Sequence, residues 1–151
     1  MTSPDYSAQI YVAVTAEQAF AALTIHLSQW WTVHANSISG LGQHLNVRFE
    51  NQTEWQFRVT KFQPNKAVSW HTIAANHNHQ SLVAKDEWLA TDIEWLVEQG
   101  QLGSKITMRH LGLVPQLSCN SICVKGWEYY LESLKKYLET GTGFPYGQHS
   151  S

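Results

Sequence analysis

The side chain best placed for chemistry is His110. It closes a segment, about Ser104 to His110, in which Ile106, Met108 and His110 alternate with Lys105, Thr107 and Arg109, so the imidazole faces inward with the apolar set. An inward imidazole can hold a ligand hydroxyl or carbonyl, or move a proton near neutral pH. No carboxylate stands at a fixed spacing that would orient it, so a buried histidine satisfied by the backbone is the plainer expectation. Other candidates are weaker. His71, His77 and His79 could offer a metal pair, but Asn76, Asn78 and Gln80 between and beside them read as a solvated hairpin tip, and no third ligand follows. Cys119 and Cys123 lie one turn apart on an expected helix without the further ligands a tetrahedral zinc site needs, which leaves buried or half-buried free thiols. Asp86, Glu87, Asp92, Glu94 and Glu98 suggest acid and base chemistry, yet Asp92, Glu94 and Glu98 alternate with apolar residues and belong to a hydrated sheet face. Gly40-Leu41-Gly42 lacks the third glycine and the helix start of a dinucleotide fingerprint, and no nucleophile motif or phosphate loop occurs. No metal and no organic cofactor is expected.

The elements that must hold these residues follow from periodicity. Ser7 to Val14 alternates, with Ala8, Ile10, Val12 and Val14 on one face; Thr15 and Gln18 then form a capping box that opens a helix over about Ala16 to Leu23. A second short turn is expected at about Leu27 to Trp31. From Ser37 to His110 the period is two, interrupted by turn chemistry at Ser39-Gly40, Asn51-Gln52, Pro64-Asn65, Asn76 to Gln80 and Gly100 to Gly103. That pattern predicts an antiparallel meander. Trp55, Phe57 and Val59 share one face, Val68 and Trp70 the next, and Leu89, Thr91, Ile93, Trp95 and Val97 a third. After Pro115 the period becomes 3.6, and Cys123, Trp127, Tyr130, Leu134 and Tyr137 or Leu138 form a stripe on a helix from about Cys119 to Thr140, ended by Gly141 and Gly143 before Pro145. Residues 1–143 form one α+β domain; 144–151 read as a disordered tail.

Composition narrows the partners. A chain of 151 residues with net charge −2 and ten scattered Lys and Arg offers no basic footprint for nucleic acid. No stretch reaches the roughly 20 apolar residues of a membrane span, and Met1 to Asp5 lacks signal-peptide character, so the expected location is cytoplasmic. Seven Trp in so small a domain either fill a core or line a cavity.

The order strand, two short helices, meander and long C-terminal helix resembles the helix-grip (START-like, SRPBCC) fold of steroidogenic-acute-regulatory-like lipid-transfer domains, birch-pollen-allergen-like proteins and polyketide cyclases. More specifically, the chain resembles the branch named after the activator of the ninety-kilodalton heat-shock protein ATPase. The residues that carry the likeness are Thr15-Ala16-Glu17-Gln18-Ala19-Phe20, Trp30-Trp31, Trp70, Thr91-Asp92-Ile93-Glu94-Trp95, His110-Leu111-Gly112-Leu113, Cys119, Gly126-Trp127 and Tyr130 to Lys135. The resemblance implies a curved sheet of about six or seven strands wrapped round the long helix, with a cavity between them. It implies no particular chemistry, since function follows the site and not the fold.

A cavity between sheet and helix would be lined by Trp55, Phe57, Trp70, Ile93, Trp95, Met108, His110, Trp127 and Tyr130. The leading expectation is therefore a binding or carrier protein for a small lipophilic molecule, held by aromatic walls and oriented by His110 or Tyr130. Two rivals stand beside it. One is a co-chaperone or stress-related module with a chaperone partner, suggested by the family name; the other is a cyclase, hydrolase or dehydratase using His110 as acid or base.

Overall fold

The computed structural model describes residues 5–49, 53–78, 86–114, 117 and 120–147. Among the described residues six strands and two helices follow in the order β1 (Tyr6–Val12), α1 (Ala16–Ala22), β2 (His44–Arg48), β3 (Glu54–Gln63), β4 (Ala67–Asn76), β5 (Asp92–Gln99), β6 (Ser104–Leu111) and α2 (Asn120–Thr140), with a 3₁₀ turn at Leu27–Gln29 after α1. The sheet runs β1-β6-β5-β4-β3-β2 and every pairing is antiparallel. It is the expected meander, with β1 returning beside β6. Period-two burial decides each strand's facing: Leu45 and Val47 on β2, Trp55, Phe57 and Val59 on β3, Ile93, Trp95 and Val97 on β5, and Ile106, Met108 and His110 on β6 are all buried. Their neighbours form the outer face, where Glu94 pairs with Arg109 at 3.3 Å, Glu98 with Lys105 at 3.0 Å and Asp92 with His71 at 2.9 Å.

Local chemistry sets the helix boundaries. The Thr15 side chain accepts from the Gln18 backbone N–H while the Gln18 side chain accepts from Thr15, so two of the otherwise unpaired donors at the start of α1 are satisfied. At the other end of the chain Gly141 takes a φ of 86°, and its N–H closes α2 on the Tyr137 carbonyl. Cys123, Trp127, Leu131, Ser133 and Leu134 form the buried stripe of α2. Against that stripe lie Trp31 and Trp95, whose ring centroids are 5.5 and 6.0 Å from Trp127.

Two departures from the sequence pattern have local causes. Leu89, expected to point inward on a strand, is 47% exposed, because residues before β5 form a turn in which Ala90 has a φ of 66° and the alternation loses phase. That turn instead buries Trp88. The chain after α2 is also better anchored than a loose tail: the Ser133 hydroxyl donates to the Trp30 carbonyl at 2.7 Å and accepts the Phe144 N–H at 2.8 Å. Tyr146 then bridges Thr32, with its carbonyl accepting the Val33 N–H. Residues 148–151 lie outside the described residues.

Candidate functional site: an aromatic pocket at one end of the helix-to-sheet core

The concave face of the sheet is mostly filled by its own rings. Trp30 and Trp31, delivered by the segment after the 3₁₀ turn, lie across it: Trp31 stacks on Trp70 at 5.7 Å and on Phe57 at 6.2 Å, and Trp30 meets Trp95 edge-on at 6.0 Å. The Trp30 position is fixed by its indole N–H, which donates to the Ala22 carbonyl at 2.7 Å. Each such pair adds about 0.5–1.5 kcal/mol beyond simple burial. This part of the interior is solid core.

Beyond that plug a pocket of about 200 Å³ remains. Its sheet-side walls are Trp31, Phe49, Trp55 and Trp88; α2 contributes Ile122, Cys123, Gly126, Trp127 and Tyr130; Thr53, His77 and Asn78 add polar groups. The indoles are arranged as a near-parallel series, Trp55 to Trp88 at 4.3 Å and 25°, Trp88 to Trp127 at 5.8 Å and 6°, Trp127 to Trp31 at 5.5 Å and 28°. No Lys, Arg, Asp or Glu is among the described lining residues.

Of the residues nominated from the sequence, Trp55, Trp127 and Tyr130 line this pocket. Phe57, Trp70, Ile93, Trp95, Met108 and His110 do not; all are buried in the solid core. Trp30 and Trp31 cover Phe57, Trp70 and Trp95, which period-two alternation cannot foresee. The other lining residues, Trp31, Phe49, Thr53, His77, Asn78, Trp88, Ile122, Cys123 and Gly126, are not in the set nominated from the sequence. The unusual Trp count and the adjacent Trp30-Trp31 pair were the available signals for two of these residues, whereas Trp88 depends on the turn that precedes β5.

His110 is sequestered rather than poised. Because an indole nitrogen only donates, the 3.1 Å contact from Trp127 Nε1 makes His110 Nδ1 an acceptor. Nε2 therefore carries the proton and donates to Thr91 Oγ1 at 2.9 Å. The Thr91 hydroxyl in turn donates a hydrogen bond to the Trp88 carbonyl, and the Thr72 hydroxyl lies 3.2 Å from Thr91 Oγ1. Both ring nitrogens are thus spent on protein partners, and desolvation pushes the imidazole down to about 3 from its usual 6.5. The network fixes Trp127 and Trp88, two walls of the pocket.

The remaining polar candidates also find structural places. Cys123 is a buried cysteine whose sulfur accepts the Trp88 indole N–H at 3.1 Å and lies 4.0 Å from His77 Nδ1. His77, read as part of a solvated tip, instead leans on Trp55 with ring centroids 5.2 Å apart. His71 faces outward to Asp92, away from His77; His79 and Cys119 lie outside the described residues. Among the described residues no group of three His, Cys, Asp or Glu is gathered as a metal site. No helix of the described residues is long and apolar enough to cross a membrane.

With this geometry in place, comparison with known proteins gives a family. The sequence profile described as "Activator of Hsp90 ATPase homolog 1-like protein" matches residues 13–139. The chain belongs to the Hsp90 ATPase activator homolog 1-like family. The solution structure of the Aha1 dimer from Colwellia psychrerythraea is 27% identical, covers 95% of this chain and all of its own, and superposes with a TM-score of 0.76. A Mesorhizobium loti protein (22% identity, 88% of this chain and 95% of its own, TM-score 0.72) and a Staphylococcus saprophyticus protein (20%, 93% and 95%, TM-score 0.70) share the fold. No curated protein matches. Within this Hsp90 ATPase activator homolog 1-like fold, the pocket sits between the long helix and the sheet, where a helix-grip cavity is expected.

Proposed function

We propose that the chain binds a small apolar molecule in the pocket between α2 and the β2–β5 side of the domain. The observation that carries this reading is the lining itself: aromatic walls, a few polar groups and no charged side chain among the described residues, enclosed by rings whose positions a buried hydrogen-bond network sets. A reaction through His110 is disfavoured, since its nitrogens are occupied and it does not reach the pocket. An apolar fluorescent probe is expected to saturate one site per chain and to quench tryptophan emission, because four of the walls are indoles. Folded protein that shows no saturable quenching would refute the carrier reading.

The family name supports a second reading, assistance to an Hsp90-type ATPase, in which the domain acts through a surface. Stimulation of such an ATPase by the wild-type chain, unchanged by ligands that fill the pocket, would favour that reading over the first.

A further inference from the structure

We infer that the pocket accepts an uncharged, flat molecule of one or two rings, and that Gly126 is the residue that sets this limit. The inference rests on the binding function proposed above and narrows it to a ligand class. Size comes first. A void of about 150 Å³ holds a benzene, and drug-sized ligands need about 300 Å³ or more. The 200 Å³ here lies between them. A long acyl chain or a four-ring sterol has no room, because Trp30 and Trp31 already occupy the concave face that would receive it.

Charge and shape narrow the class further. Burying an ion among walls with no described Lys, Arg, Asp or Glu would forfeit its hydration without a partner. The walls are near-parallel indole planes, with only 6° between Trp88 and Trp127, and a flat ring matches such surfaces better than a branched chain does.

Gly126 is otherwise hard to account for. Glycine is the weakest helix former after proline, and this one stands inside the 21-residue α2. Glycine is usually required by a left-handed backbone or by a close approach of other atoms. Neither holds among the described residues: Gly126 is not one of the positive-φ residues, and apart from the helix's own backbone a Cβ at this position would meet nothing within 4 Å. What the missing side chain leaves is space on the pocket face, between Ile122 and Tyr130 one turn to either side.

The test compares wild type with Gly126→Ala and Gly126→Leu, using prodan as an uncharged two-ring ketone and cis-parinaric acid as a long-chain fluorescent probe. Prodan is expected to bind wild type, about tenfold or more weakly to Gly126→Leu, and with an intermediate loss to Gly126→Ala. Both variants should melt at or above the wild-type temperature, which separates lost space from lost folding. Parinaric acid should not bind saturably to any of them. Equal prodan affinity in wild type and Gly126→Leu, or parinaric binding as tight as prodan binding, would overturn the inference while leaving a binding pocket. If neither probe binds folded wild type, the inference fails together with the function it rests on.

Discussion

Truncating Trp127 to alanine is expected to lower the unfolding free energy by roughly 4 kcal/mol or more, the largest effect of any single substitution in the pocket wall. Loss of a buried Trp to Ala typically costs about 3–5 kcal/mol through lost transfer energy and the cavity left behind. Here a second penalty adds to it. Trp127 is 2% exposed, touches Trp31, Trp88 and Trp95, and supplies the only hydrogen bond recorded to His110 Nδ1 among the described residues. Removing the donor leaves a buried acceptor unpaired, at about 1–3 kcal/mol. Domains of this size are stable by about 5–15 kcal/mol, so Trp127→Ala should be marginally folded. Trp127→Phe keeps most of the ring and deletes only the N–H, and should cost about 1–3 kcal/mol. Urea unfolding of the three proteins reads the series directly. A loss below about 1 kcal/mol in Trp127→Ala would mean that this ring is not the keystone of the helix-to-sheet contact.

The second large effect is on acid stability, and it follows from His110. Its folded pKa lies near 3 and its ordinary value at 6.5, so between those pH values the unfolded chain binds a proton that the folded chain refuses. The depressed value belongs to a basic group. Stability from this site is therefore complete above pH 6.5 and is lost as pH falls toward 3. The loss amounts to about 2 kcal/mol by pH 5 and about 3 kcal/mol by pH 4, at roughly 1.4 kcal/mol per unit of pKa difference. His110→Gln removes the titrating nitrogen. It should be less stable than wild type at pH 7, by the disturbed hydrogen bonds, yet lose less as the pH is lowered. Other titrating groups are common to both proteins and cancel in the difference of their pH profiles. Parallel profiles between pH 7 and 4 would show that His110 is not held neutral in the folded state.

Periodicity carried the architecture far. The Thr15–Gln18 capping box, the inward set on β3, β5 and β6, and the Trp127 stripe of α2 each depend on local chemistry or on neighbours within a few residues, and these are written directly in the chain. Site membership is different in kind. Alternation says that Trp70 and Trp95 face inward, but not that Trp30 and Trp31, 39 or more positions earlier in the chain, will lie on top of them. Trp88 enters the wall through a positive-φ turn at Ala90, a residue type that gives no warning of it. Phe49, Cys123 and Gly126 become pocket residues only because β2, α2 and the turn before β5 converge there. His110 was legible as inward, whereas its partners Thr91 and Trp127 come from two other parts of the chain.

Native mass spectrometry of the chain purified without refolding from the organism that makes it tests the central claim most directly. One added mass per chain, in the range of a one- or two-ring organic molecule and absent from Gly126→Leu purified the same way, is the expected result. Wild-type protein that carries no added mass, and gains none when equilibrated with uncharged one- and two-ring compounds, would contradict the claim that the aromatic pocket is a binding site.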